Sequence, residues 1–286
     1  MKTVLAFVGG GERDAVILQT AAAAAVSFSA HIDCLHAHVP LEQATRHARL
    51  DFATGEGLKK ALDRLETNSN AFSRIAAENV RAFCTRAGIE MCDQPSGAEK
   101  VTARFFEEAS NELQLLVSHA SQRDLIVMGR LRQKQGLAPD TLEYMVRNSG
   151  RPVLVAANEA PRNLTDTIMV CWKDEKSTAG AVTAARPFLT AARRVLFVSV
   201  VRREGNDVAA ELAAAACELA GISAEVQIMP AGRDGIPETL ANAANECGAT
   251  MLVAGAYGRS RGREILFGSC TDRLLERCDR PIFFSH

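Results

Sequence analysis

The segment Ala76-Ala77-Glu78, followed by Cys84 and then Gly88-Ile89, returns as Ala209-Ala210-Glu211, Cys217 and Gly221-Ile222, at a constant offset of 133 residues. A chain that repeats itself builds one unit twice, so the fold is that of about half its length. Two further matches extend the repeat: Arg123 to Gly129 (RDLIVMG) with Ala249 to Gly255 (ATMLVAG), and Gly150-Arg151-Pro152-Val153 with Asp279-Arg280-Pro281-Ile282. The offset drifts because the intervening loops differ in length. The run Asn158 to Asn163 (NEAPRN) carries the Pro and Asn of a linker, which predicts one domain over 1–158 and a second over 164–286.

Within each half, short apolar runs alternate with helical patterns, the signature of a parallel sheet covered on both faces. The first half gives strands near Val4 to Val8, His31 to Val39, Ile89 to Cys92, Leu125 to Met128 and Pro152 to Ala156. The second gives Thr167 to Trp172, Val195 to Val201, Ala224 to Met229, Met251 to Ala254 and Pro281 to Phe284. Right-handed crossovers turn each set into an α/β sandwich. A long charged stretch from Gly57 to Gly88, interrupted at Asn68-Ser69-Asn70, has no counterpart of equal length in the second half. It reads either as a cover over the first half's site, as an extension across the other half, or as a longer surface helix.

One turn carries chemistry. Gly255-Ala256-Tyr257-Gly258, with Gly268-Ser269 after nine more residues, lies between the apolar strand Met251 to Ala254 and a helical pattern through Asp272 to Arg277. Glycines there let the backbone approach a ligand, and a Gly-Ser pair at a helix start offers free N–H groups and a hydroxyl to an anion. The competing reading is a turn that serves tight packing alone. Arg259, Arg261 and Arg263 fall inside the segment, where they would either screen phosphate charge or form a solvated face.

This spacing resembles the ATP-binding motif of the universal stress protein family, and Arg280-Pro281-Ile282-Phe283-Phe284 resembles that family's closing strand. The resemblance implies two tandem five-stranded parallel sheets with strand order 3-2-1-4-5, placing a crevice between strands 1 and 4 where the winding reverses. It implies ATP held in the second half by Gly255, Gly258, Arg259, Gly268 and Ser269. Lys173 stands where family members commonly carry an acidic residue on the adenine side, with Asp174 next to it. Val200 and Val201, at the end of strand 2, are the implied backbone clamp on the base, against an alternative role in core packing. Mg²⁺ would find only Asp174 and Glu175 nearby. Single-domain members often pair through their last strands, so the two halves are expected to pair as an intramolecular pseudo-dimer; a further homodimer and the protein partners are left open.

In the first half the same register puts Pro139-Asp140 opposite Gly268-Ser269, at the offset of 129 that relates Pro152 to Pro281. Proline has no N–H to donate, and an ionised aspartate repels phosphate. Gly129 and Gly136 remain there with the wrong spacing. The first half is therefore expected not to bind ATP. Gly9-Gly10-Gly11 lacks the third glycine of a dinucleotide fingerprint, where Asp14 stands, and no G-x-x-x-x-G-K-[ST] occurs, so that turn reads as a loop leading into a helix. Cys34, His36 and His38 share one strand face, but their spacing of about 7 Å per two residues exceeds what one tetrahedral ion gathers, and packed strand residues are the reading preferred.

Composition narrows the function. The chain's 33 basic and 34 acidic side chains give a net charge of −1, which provides no global drive toward nucleic acid or anionic membrane. Hydrophobic residues make up 47%, and the apolar run Ala21 to Val26 falls far short of the roughly 20 residues of a span. Val4 to Val8 reads as a first strand rather than a signal peptide, and none of the eight cysteines is paired as C-x-x-C, so a cytoplasmic protein with reduced thiols is expected. No catalytic constellation is evident, which limits chemistry to slow ATP hydrolysis at most. The expected role is a nucleotide-dependent stress-response or regulatory module. The alternatives are a scaffold working through protein contacts or a small apolar ligand, and an adenine nucleotide hydrolase.

Overall fold

The computed structural model describes residues 1–38, 56–94, 100–110, 112–130, 137, 140–201, 208–256 and 270–286. Its strands are β1 (Thr3–Phe7), β2 (His31–Ala37), β3 (Glu90–Met91), β4 (Thr102–Glu108), β5 (Leu125–Met128) and β6 (Val153–Val155) in the first half. The second half adds β7 (Thr167–Trp172), β8 (Arg194–Val201), β9 (Ala224–Pro230), β10 (Met251–Gly255) and β11 (Ile282–Ser285). The helices are α1 (Asp14–Val26), α2 (Glu56–Ala87), α3 (Leu113–Ser121), α4 (Thr141–Asn148), α5 (Lys176–Ala191), α6 (Val208–Leu219), α7 (Ile236–Glu246) and α8 (Cys270–Arg277). Among the described residues, no helix is long and apolar enough to cross a membrane.

All eleven strands join one sheet in the order β3-β4-β2-β1-β5-β6-β11-β10-β7-β8-β9. Every pair is parallel except β6 with β11, where Val155, Leu154 and Val153 face Ile282, Phe283 and Phe284 antiparallel. The two halves thus meet through their last strands, as expected. The second half, read from β9 to β11, has the expected order 3-2-1-4-5.

The first half departs from that order and corrects the sequence reading. The strand beside β2 is Thr102–Glu108, paired along its whole length from His31↔Thr102 to Ala37↔Glu108. The segment taken as the third strand forms only the two-residue edge β3, outside β4. Charges at Arg104, Glu107 and Glu108 hide β4 from an apolar-run criterion. Arg104 is tolerated because Asp33 stands directly opposite it in register and pairs with it, so the charge has a partner when the strand is half-buried.

Apolar side chains alternate between the sheet's two faces, and each face carries a core continuous across both halves. One combines Val4, Ile17 and Leu125 with Ile168, Phe188 and Phe283; the other combines Leu5, Phe7 and Val155 with Met169, Leu252 and Phe284. The alanines of α1 have a packing role, since fully buried Ala21, Ala24 and Ala25 let the helix lie close to the sheet. The offset of 129 also holds in three dimensions, carrying Thr141–Asn148 onto Cys270–Arg277.

Candidate functional site

In the second half, β7 lies between β10 and β8, so the winding direction reverses at the β7/β10 boundary and opens a crevice beyond the carboxyl ends of those strands. Gly255 closes β10 on one side of it. A Cβ at Gly255 would stand 2.5 Å from the Thr178 amide nitrogen and 2.6 Å from the Ser177 carbonyl carbon, so the first turn of α5 rests directly on this glycine. Close helix–strand packing alone requires a glycine here. The same contact brings the loop after β7 alongside the turn after β10. His286 Nδ1 lies 3.0 Å from the Ala256 carbonyl oxygen, and the Ala256 amide donates to Ser285, fixing the start of that turn.

Lys173 and Asp174 sit on the exposed loop between β7 and α5, and Lys173 Nζ pairs with Glu175 Oε1 at 2.5 Å. The lysine charge therefore lies at the crevice mouth with a carboxylate already beside it. Val200 packs on the core face shared with Met229, and the Val201 carbonyl accepts a 2.9 Å hydrogen bond from Ala231. The backbone of Val201 is thus engaged by its own sheet edge. Gly258, Arg259, Gly268 and Ser269 lie outside the described residues, between Ala256 and the start of α8 at Cys270. Sequence reasoning passed over Trp172, the chain's single tryptophan and the last residue of β7. Its indole Nε1 is buried without a partner among the described residues, and its ring lies 5.8 Å from that of Phe197. A large aromatic ending a strand at the winding reversal was the available signal.

The corresponding place in the first half is filled by the protein itself. Asp14, fully buried, accepts hydrogen bonds from the Gly9 and Gly10 amides at 2.8 and 2.9 Å and from Asn79 Nδ2 at 3.1 Å. A carboxylate of the chain thus occupies the donors that an anion would need. Above it runs α2, unbroken through Asn68-Ser69-Asn70. Gly10 has φ +76°, and a Cβ there would lie 2.2 Å from the Phe72 carbonyl oxygen, so α2 roofs the glycine turn. The open space nearby, about 540 Å³, is lined among the described residues by α1, α2 and the Gly10–Glu12 turn. Asp140 directly precedes α4, while Pro139 lies outside the described residues. α2 touches the glycine turn at Phe72, and most of its described length is exposed.

Arg130, one residue past Gly129, reaches across the join into the second half. Its Nη1 donates to the Leu275 carbonyl, its Nη2 to Cys278 at 2.5 Å and to Arg280 at 3.0 Å, and its Nε to Ala156 at 3.2 Å. Burial pushes the guanidinium's pKa down, and the nearby Asp279 opposes that shift. Arg13 Nη1 reaches Asn158 Oδ1 at 3.2 Å, and the Asn158 amide donates to Asp279 at 3.0 Å, so a polar network crosses the join beside the paired last strands.

On the strand face of Cys34, His36 and His38, His36 Nδ1 lies 2.9 Å from the Val8 carbonyl oxygen, and burial pushes the Cys34 thiol well up. His38 Nδ1 is buried without a partner among the described residues. At the other end of β2, Asp33 joins His31, Arg104 and Arg123. Burial would raise the Asp33 pKa, but the neighbouring His31 and the hydrogen bonds from Arg104 and Arg123 outweigh it and hold the carboxyl well below the usual range.

Residues 160–285 match the model of the Universal stress protein family. Three solved structures match the chain over its length. A universal stress protein from Archaeoglobus fulgidus DSM 4304 shares 14% identity, covering 99% of this chain and 95% of that one, with a TM-score of 0.67. A putative universal stress protein from Pseudomonas aeruginosa UCBPP-PA14 shares 14% identity over 100% and 93%, with a TM-score of 0.56. A functionally unknown protein from Pseudomonas aeruginosa PAO1 shares 14% identity over 100% and 92%, with a TM-score of 0.57. No curated protein matches the sequence. At these identities the structures establish the fold of both halves.

Proposed function

We propose that the protein binds one ATP per chain, in its second half, and works as a nucleotide-responsive stress or regulatory module. The observation carrying this reading is the contrast between two helices in matching positions. α4 follows Pro139-Asp140, whereas α8 follows Gly268-Ser269. Donors at a helix start favour phosphate, and only the second copy has the residues to supply them. The roof of α2 over Gly10 and the self-supplied Asp14 carboxylate agree with a single site.

In this reading Gly258, Gly268 and Ser269 cradle the phosphates and Arg259 adds positive charge. Gly255 sets the turn by its packing on α5. Lys173 serves the phosphate side better than the adenine side, since it is cationic and exposed. Any Mg²⁺ accompanying the nucleotide would be held by Asp174, because Glu175 is already paired with Lys173. Eight free thiols fit a reducing compartment, and we place the protein in the cytoplasm.

A second reading, a scaffold acting through protein contacts, draws on exposed Leu212 and Leu219, seven residues apart on α6 and hence on one face. Mass spectrometry of small molecules released from the purified full chain separates the two. Recovered ATP supports the nucleotide reading. An empty or lipid-loaded protein that also fails to take up added ATP supports the scaffold.

A further inference from the structure

Arg130 and Ala256 occupy matched places, one residue past Gly129, which follows β5, and one past Gly255, which ends β10. The second half uses that place to enter the glycine motif. The first half instead sends a half-buried arginine across the join, where its donors take the carbonyl of Leu275 in the last turn of α8 and those of Cys278 and Arg280 just beyond it. The Ala156 carbonyl, at the end of β6, holds the other edge of the guanidinium.

α8 is eight residues long, a rod of about 12 Å. Its N-terminal end follows Gly268-Ser269 and its C-terminal end is gripped by Arg130. A cation on the last carbonyls complements the helix dipole, and the planar fork fixes direction as well as distance. α8 is also held by buried Leu274, by Leu275 packed on the same core, and along α7, where Arg277 meets Glu238 at 3.5 Å. The Arg130 fork adds a hydrogen bond to the Leu275 carbonyl in the last turn and two to the backbone just past it.

Resting on the nucleotide reading above, we propose that Arg130 is a positioning residue for the second half's phosphate site: the first half, though closed to nucleotide, sets the placement of α8 that binding at its N-terminal end requires. The coupling is reciprocal, so nucleotide at one end of α8 tightens the arginine contact at the other.

The test uses the full chain and ATP. Arg130→Gln removes the charge and most of the donors, Arg130→Lys keeps the charge without the fork, and titration calorimetry gives the affinities. The expected result is a loss of about 5-fold or more for Gln with Lys in between, the folded content by circular dichroism being unchanged. In the wild-type chain, ATP is expected to shift the Arg130 Nε–H resonance or slow its exchange, a signature that a merely structural contact would not give. Wild-type binding with a Gln variant of equal affinity overturns the inference and leaves the nucleotide reading standing. Should the Gln variant not fold, an Arg130 Nε–H signal unchanged at ATP saturation overturns it. A wild-type chain that binds no ATP overturns the nucleotide reading, and the inference with it.

Discussion

Arg130 Nη2 donates to the carbonyl of Cys278 at 2.5 Å, across 148 residues of sequence and across the join between the two halves. Removing the guanidinium strips partners from four carbonyls at once, in a setting where an unpaired buried group costs about 1–3 kcal/mol. Arg130→Ala should lower the free energy of unfolding by about 3 kcal/mol in urea denaturation. A change within about 0.5 kcal/mol would mean that water replaces the clamp without loss.

The glycine turn after β1 offers a paired comparison. Gly10 stands at φ +76° under the Phe72 carbonyl, whereas a Cβ on Gly11 meets nothing within 4 Å among the described residues. Gly10→Ala should destabilise the protein by about 2–3 kcal/mol and loosen α2, visible as faster amide exchange around Phe72. Gly11→Ala should change stability by less than about 0.5 kcal/mol. Equal effects would contradict the roofed turn.

Asp33 sets an acid limb. Its carboxyl is held below its unfolded value, so its contribution is fully present above about pH 4 and is lost as pH falls further, because the unfolded chain takes up the proton first. Stability should therefore fall from about pH 4 downward. Asp33→Asn should flatten that slope. At neutral pH the same substitution should cost about 3 kcal/mol, since it leaves Arg104 and Arg123 without their shared carboxylate. An unchanged acid slope in the variant would assign the limb to other carboxylates.

Much of the fold is legible in local sequence because the repeat and the short apolar runs are local signals. Leu125 to Met128 and Met251 to Gly255 announce buried parallel strands, and the matched prolines at 152 and 281 fix the last strands that pair. What escapes is settled by distant partners. β4 reads as polar until Asp33 is placed opposite Arg104, a match 71 residues away. The cover over the first crevice depends on Phe72 meeting Gly10, and no spacing rule connects a helix carbonyl with a glycine 62 residues earlier. Arg130 looks like an ordinary loop cation until the far end of α8 is brought beside it. Of the candidate site, the sequence locates the crevice through Gly255 and Lys173. The same glycine also has a packing role against Ser177 and Thr178 that its spacing does not reveal.

Trp172 is the chain's single tryptophan and ends β7 at the crevice, so its fluorescence reports on that place alone. ATP added to the full chain should change its emission saturably. Gly255→Ala, which drives a Cβ into the first turn of α5, should weaken that response by about 10-fold or more. An unaltered titration would separate the packing of Gly255 from nucleotide binding.

The most direct measurement is the stoichiometry of ATP on the full chain by titration calorimetry, for the wild type and for the double substitution Gly268→Pro with Ser269→Asp, which writes the first half's Pro139-Asp140 into the second. The account predicts one ATP per wild-type chain and none for the double variant. Two ATP per chain, or one that survives the substitution, would contradict it.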